Sequence, residues 1–177
     1  AANPAFVATD ADRRRLPSPL ADDKAADEDE ARALAEAIKD ETSHTFTGAG
    51  SAWPEAPYYG MCIREEMQWI RTRPVHASDF FHGTLELVES DVSVVILKGE
   101  DEARPLADRV ESFVEGISDK VTVIDTADCA LLGISVELRG LISPVLLATV
   151  LERLSAHLEV LRDHPLTTRR YYRRVAY

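Results

Sequence analysis

A chain of 177 residues with 45% hydrophobic content is long enough for one domain with a real core and too short for two full ones. Its 31 acidic residues outnumber the 20 basic ones, and the formal net charge of -11 argues against a nucleic-acid or anionic-membrane surface. No continuous apolar run approaches the roughly 20 residues of a membrane span, no basic-then-apolar leader opens the chain, and Cys62 and Cys129 make neither a disulfide framework nor a metal-ligand spacing, which points to a reducing, cytoplasmic setting.

Residues 1–19 are rich in Pro, Arg and Asp without a steady period and read as an arm. From Leu20 to about Asp40 the Ala- and Glu-rich composition predicts a helix on propensity alone. After residue 40, strand and helix patterns alternate. His44-Thr45-Phe46-Thr47 is a short β-type run that ends in Gly48-Ala49-Gly50-Ser51. A helical segment should follow to about Arg71, then an extended piece around Pro74–Ser78. Residues 92–97 form a near-continuous apolar run, as expected of a central strand covered on both faces. Pro105 opens a helix whose stripe is Leu106, Val110, Phe113, Val114 and Ile117, and residues 121–124 form a further buried strand. Ser143-Pro144 has the form of an N-cap and first helical residue, predicting a helix from there to about Asp163, stopped by His164-Pro165. The alternation predicts an α/β fold, a three-layer α/β/α sandwich with a mainly parallel sheet. The 92–97 and 121–124 strands should be adjacent or nearly so and parallel, with the 105–117 helix as their crossover.

Few residues stand out chemically. Gly48-Ala49-Gly50-Ser51 lies between a strand and a helix, where backbone N–H groups can receive an anion. It is neither a dinucleotide fingerprint nor a Walker loop, so a tight connecting turn is the simpler reading. On an α-helical register, Glu66 has Tyr59, Cys62, Ile63, Trp69 and Ile70 as neighbours and falls on the buried stripe, more squarely than Glu65. A carboxylate there must be protonated, functional or paired, with Arg71 or Arg73 as the available partners. His76, Asp79 and His82 cluster after the extended piece; no spacing supports a metal, and a histidine acid–base group competes with a structural one. No Gly-x-Ser-x-Gly elbow is present. The C-terminal decapeptide carries Arg169, Arg170, Arg173 and Arg174 on an otherwise acidic protein.

Glu66 and His82 stand sixteen residues apart. The stretch from Met61 to Ile70, followed by Pro74 to Gly83, resembles the SIS (sugar isomerase) domain, whose motif is a helix-borne glutamate and, at this spacing, a histidine in a (D/E)-x-x-His-Gly-Pro segment. Asp79 and His82-Gly83 fit that motif, with Thr84 in place of the proline. The blocks 97–106 and 164–172 resemble the fructosamine 6-phosphate deglycases, over roughly residues 25–177 and specifically their second SIS domain.

The resemblance implies residues 1–40 as an N-terminal arm and helix and 41–177 as the SIS domain. It implies a sugar-phosphate enzyme that converts a fructosamine 6-phosphate and water to glucose 6-phosphate and a free amine. Glu66 would move the carbon-bound proton, and His82 would serve ring opening or heteroatom proton transfer. Ser51, Arg169 and Arg173 are the candidate substrate-binding residues, the arginines as guanidinium groups for a phosphate on a tail folded over the site. No metal or organic cofactor is implied, because the substrate's own amine supplies the electron sink. An aldose–ketose or aminosugar-phosphate isomerase shares the proton transfers, and a non-catalytic sugar-phosphate-binding module is the alternative outside enzymes. A homo-oligomer or a partner first SIS domain is expected, since the family's Ser/Thr-rich phosphate loop has no counterpart here; no nucleic-acid or membrane partner is expected.

Overall fold

The computed structural model describes residues 28–131 and 134–176. The 1–19 arm and the start of the 20–40 helix lie outside them. Helix α1 (Glu28–Ile38) leads into strand β1 (Ser43–Gly48), a helical stretch that runs as a π-helix over Tyr58–Glu65, β2 (Arg71–His76), β3 (Val94–Lys98), α2 (Arg104–Val114), β4 (Val121–Asp125) and α3 (Val136–Leu161). All pairings are parallel, in the order β2-β1-β3-β4, and β3 and β4 pair as the sequence predicts, Val94 with Val121 through Lys98 with Asp125.

The sheet is covered on both faces, which makes three layers. On one side Ala35 and Ile38 of α1, Tyr59 of the π-helix and Leu147, Leu151, Leu154 and Leu158 of α3 close over Phe46, Val95, Leu97 and Ile124. On the other, Ala107, Val110 and Val114 of α2 pack with Phe80 against Val94 and Ile96. All five residues of β3 are buried, the reason its sequence is continuously apolar up to Lys98. Pro74 is tolerated in β2 because, among the described residues, that strand is an edge with no outer neighbour to receive an N–H. Bidentate Arg153–Glu28 contacts at 2.7 and 2.8 Å tie α1 to α3.

Three sequence expectations are corrected. The helical segment ends before Arg71: Trp69 takes a left-handed φ of 57° and β2 begins two residues later. Ser143-Pro144 does not open the last helix, which starts after Ser135, with Pro144 in its interior. The proline removes the N–H that the Gly140 carbonyl would accept, and the Ser51 hydroxyl donates to that carbonyl instead, at 3.0 Å. The Ser143 hydroxyl donates to the Arg139 carbonyl and accepts from the Glu100 N–H, both at 3.0 Å. Finally, α3 as a whole is long and apolar enough to cross a membrane by length and composition, although nine of its residues are buried in this domain, most of them in its core. An all-round apolar helix is what a core position requires.

A polar cluster lies under the start of β1. His44 is 2% exposed, its Nδ1 2.8 Å from the Ser93 hydroxyl and its Nε2 2.9 Å from a guanidinium nitrogen of the fully buried Arg64. Burial, reinforced by the charges of Arg64 and Arg162, pushes the His44 pKa down to about 3. The ring is therefore neutral in the fold, and its contribution is present above the unfolded value near 6.5 and lost as pH falls toward 3. Between neutral pH and about two units below the unfolded value, the protein should lose about 2–3 kcal/mol more stability than its His44→Gln variant, as read by urea denaturation at each pH.

Candidate functional site

The π-helix decides where the acidic residues point. Its i to i−5 bonds, such as Glu66 N to the Met61 carbonyl at 3.1 Å and Gln68 N to Ile63 at 3.2 Å, insert an extra residue per turn. Arg64 and Gln68 consequently face the interior, and Glu65 and Glu66 face out. Glu66 is thus not buried, as an α-helical register had implied: its side chain is 44% exposed and pairs with Arg169 at 2.9 Å, not with Arg71 or Arg73. Glu65 instead receives the Thr72 N–H at 2.9 Å and hydroxyl at 2.8 Å, joining the helix to β2.

Glu66 and Arg169 share an open cleft of about 790 Å³ with Ser43, Trp69, Arg71 and Arg170, at the edge of the sheet where β1 and β2 begin. The tail forms one wall. Arg169 is fixed by its own backbone, donating to the Leu166 and Thr168 carbonyls at 2.7 and 2.9 Å. The Arg170 guanidinium stacks 3.9 Å over the Trp69 ring, which is edge-on to His164 at 4.6 Å. The cleft thus holds one carboxylate pair, Glu65 and Glu66, facing three guanidinium groups. Arg173 is not among them; it is exposed with a φ of 56°, and Arg170 takes the position by the cleft. Sequence reading counted Arg170 in the basic tail but had no signal for the Trp69 contact that aims it.

His82 lies elsewhere. It ends the short turn Phe80–His82, and Gly83 follows with a φ of 150° that a side chain would strain. It lines a second depression, of about 450 Å³, with Trp53, Arg73, His76 and Asp79. The two hollows share no lining residue. Both touch β2, the first at Arg71 and the second from Arg73 to His76. Glu66 and His82 of one chain therefore line different hollows.

Ser51 joins neither hollow. Its N–H donates to Asp101 at 2.5 Å and its hydroxyl to the Gly140 carbonyl at 3.0 Å. Asp101 also accepts from the Ala103 N–H at 2.9 Å. Burial pushes the Asp101 carboxyl up, but the hydrogen bonds from Ser51 and Ala103 outweigh it and hold it below the usual range. Gly50 permits this approach with a φ of 56°; a Cβ there would lie 2.4 Å from the carboxylate. The Ser51 N–H of this turn already holds an internal anion. Among the described residues, no group of three or more His, Cys, Asp or Glu is placed to hold a metal ion.

No family model matches the chain. It is 36% identical over 149 residues to the fructosamine deglycase FrlB of Bacillus subtilis, covering 84% of this chain and 45% of that protein. It is 31% identical over 161 residues to the fructoselysine 6-phosphate deglycase of Escherichia coli, covering 91% of this chain and 46% of that protein. A solved Bacillus subtilis structure described as a phosphosugar isomerase superposes with a TM-score of 0.87 at 33% identity, over 92% of this chain and 50% of the other. The chain spans about half the length of the curated relatives it matches. It is an SIS domain resembling these deglycases.

Replacing Asp101 by Ala leaves the Ser51 and Ala103 N–H groups unsatisfied in a partly buried turn. Thermal or urea unfolding should show a loss of about 1–3 kcal/mol, with Asp101→Asn recovering part of it.

Proposed function

We propose that this SIS domain contributes the proton-transfer half of a site that deglycates a fructosamine 6-phosphate, giving glucose 6-phosphate and a free amine. The observation that carries the reading is Glu66, at the C-terminal end of the π-helix and lining an arginine-rich cleft, in a chain 36% identical to a fructosamine deglycase. After ring opening to the C2 ketone, Glu66 takes a proton from C1 while the C2 oxygen gains one, giving the enaminol; a proton returned to C2, with the nitrogen's proton released, leaves the C2 hydroxyl and a carbon–nitrogen double bond at C1. Water adds to that bond, and collapse of the adduct expels the amine and leaves the aldose phosphate. Both the initial ring opening and this expulsion require protons moved to or from oxygen or nitrogen, the role assigned to His82.

Arg169 suits two successive partners. It orients Glu66 while the cleft holds no substrate, and its guanidinium is of the kind that takes a phosphate in a bidentate grip. Because Glu66 and His82 of one chain lie in separate hollows, a working site draws the histidine and a phosphate loop from another SIS domain, in the same polypeptide or in a second copy. The match to about 45% of each deglycase relative supports that partner, as the first SIS domain, with this chain as the second. The same separation also favours a second reading, a sugar-phosphate-binding module without turnover.

The experiment is turnover of fructoselysine 6-phosphate by the chain alone and with a separately expressed first SIS domain from a deglycase relative. Activity should rise from near zero on mixing. In that complex Glu66→Gln should abolish turnover with the fold intact, His82→Asn should reduce it by about 10²–10⁴-fold, and Glu65→Gln should be mild. Glucose 6-phosphate binding without turnover in any mixture would instead establish the binding module.

A further inference from the structure

Of His76, Asp79 and His82, the proposed proton transfers use only His82. His76 closes β2 and lines the same hollow. Two successive turns hold both histidines there: the Asp79 N–H donates to the His76 carbonyl at 2.8 Å, and the His82 N–H to the Asp79 carbonyl at 2.9 Å. The two side chains are held differently. His82 is exposed, whereas the His76 ring is half-buried and near-perpendicular to the Trp53 ring, with centroids 5.1 Å apart. Its Nδ1 accepts the Ser78 N–H at 3.1 Å and lies 2.7 Å from the Ser78 hydroxyl, which also reaches Asp79 at 3.1 Å. Ser78 does not line the hollow, so Nε2 is the ring nitrogen left for it. Nε2 makes no hydrogen bond among the described residues and is not shut off from solvent.

We propose that His76 is a second substrate contact in this hollow, giving its Nε2–H to an oxygen of the sugar chain on which His82 works. The proposal rests on the phosphosugar reading of the site. The tautomer follows from one hydrogen bond. An N–H directed at Nδ1 leaves no room for a hydrogen on that atom, so the ring's proton sits on Nε2. A second proton could enter only at Nδ1, against the Ser78 N–H. His76 therefore holds an oxygen and does not exchange protons with it. A sugar chain offers adjacent oxygens, and a fixed donor beside an acid–base group can hold one while its neighbour reacts. The Arg73 guanidinium and the Asp79 carboxylate are the charges that share the hollow with the two histidines.

The test has two parts. In the full chain with isotope-labelled histidine and serine, nitrogen NMR at about pH 8 should place the hydrogen of His76 on Nε2. It should also show coupling across the hydrogen bond between the Ser78 amide nitrogen and Nδ1. A hydrogen on Nδ1 overturns the proposal. In the complex with a first SIS domain, His76→Phe keeps a ring against Trp53 and removes the donor. Its kcat/KM for fructoselysine 6-phosphate should fall about tenfold, with the pH profile keeping its shape. His76→Gln, whose amide N–H reaches the Nε2 position, should recover to within about threefold of the parent. Thermal melting of each variant confirms the fold. Glucose 6-phosphate binding without turnover sinks the deglycation reading alone, and the same ordering of variants should then appear in affinity. Parent-like kcat/KM or affinity in His76→Phe overturns the proposal, as does a changed pH profile. So does an equal loss in the Phe and Gln variants, which reports packing alone. A parent complex that neither binds nor turns over either phosphosugar overturns both readings.

Discussion

The buried guanidinium of Arg64 is the constraint around which this half of the domain is arranged. It is 0% exposed, its Nη2 lies 2.9 Å from the His44 ring nitrogen, and its Nε and Nη1 have no hydrogen bond among the described residues. Taking such a charge out of water costs several kcal/mol, and burial accordingly lowers its pKa. The π-helix turns Arg64 inward, and Gln68 turns inward with it. Gln68 then fixes the chain leaving α3, donating to the His164 carbonyl at 2.8 Å and accepting from Arg162 at 3.1 Å. That anchor is what brings Arg169, five residues further on, against Glu66. The polar interior and the cleft wall are thus two ends of one network.

A second constraint removes the usual ligand position. In open parallel sheets, ligands bind beyond the carboxyl ends of the strands where strand order reverses. Here β1 has β2 on one side and β3 on the other, so that position falls at the Gly48–Ser51 turn. Asp101 occupies the Ser51 N–H there, and the Ser51 hydroxyl is bound to the Gly140 carbonyl that Pro144 leaves open in α3. An added phosphate would meet a carboxylate already in place. The hollows lined by Glu66 and by His82 lie along β2, the edge strand among the described residues, where another polypeptide can approach.

What was legible in the sequence follows from which signals are local. The all-apolar residues of β3 and the stripe on α2 are decided by burial against a sheet, and both elements lie within a few residues of their expected bounds. The spacing of Glu66 and His82 was legible as a family motif, but their surroundings were not. A 3.6-residue period puts Glu66 on the buried stripe, and only the π-turns, which place Arg64 inside and Glu66 outside, overturn it. Ser143-Pro144 carried a valid helix-start signal that lost to tertiary context: Ser135 provides an earlier start, and Ser51 satisfies the carbonyl the proline abandons. The partner of Ser51 is fifty residues away in Asp101, beyond the reach of any local pattern.

The ion pairs differ in how readily a substrate can break them. At the carboxyl ends of β3 and β4, Lys98 reaches Asp108 at 2.6 Å and Glu111 at 2.7 Å, and Arg104 makes two contacts to Asp125. Lys98 is 8% and Asp125 12% exposed, so separating these groups strands charge away from water and the network holds the strand ends together. The Glu66–Arg169 pair has a carboxylate 44% exposed, and such pairs contribute about 0–1 kcal/mol because water replaces the partner readily. On the proposed function, a phosphate entering the cleft would draw Arg169 away at little cost and leave Glu66 without its partner. A carboxylate buried in the interior would need a compensating charge at every step of a proton transfer. The outward register imposed by the π-helix gives Glu66 a partner it can lose.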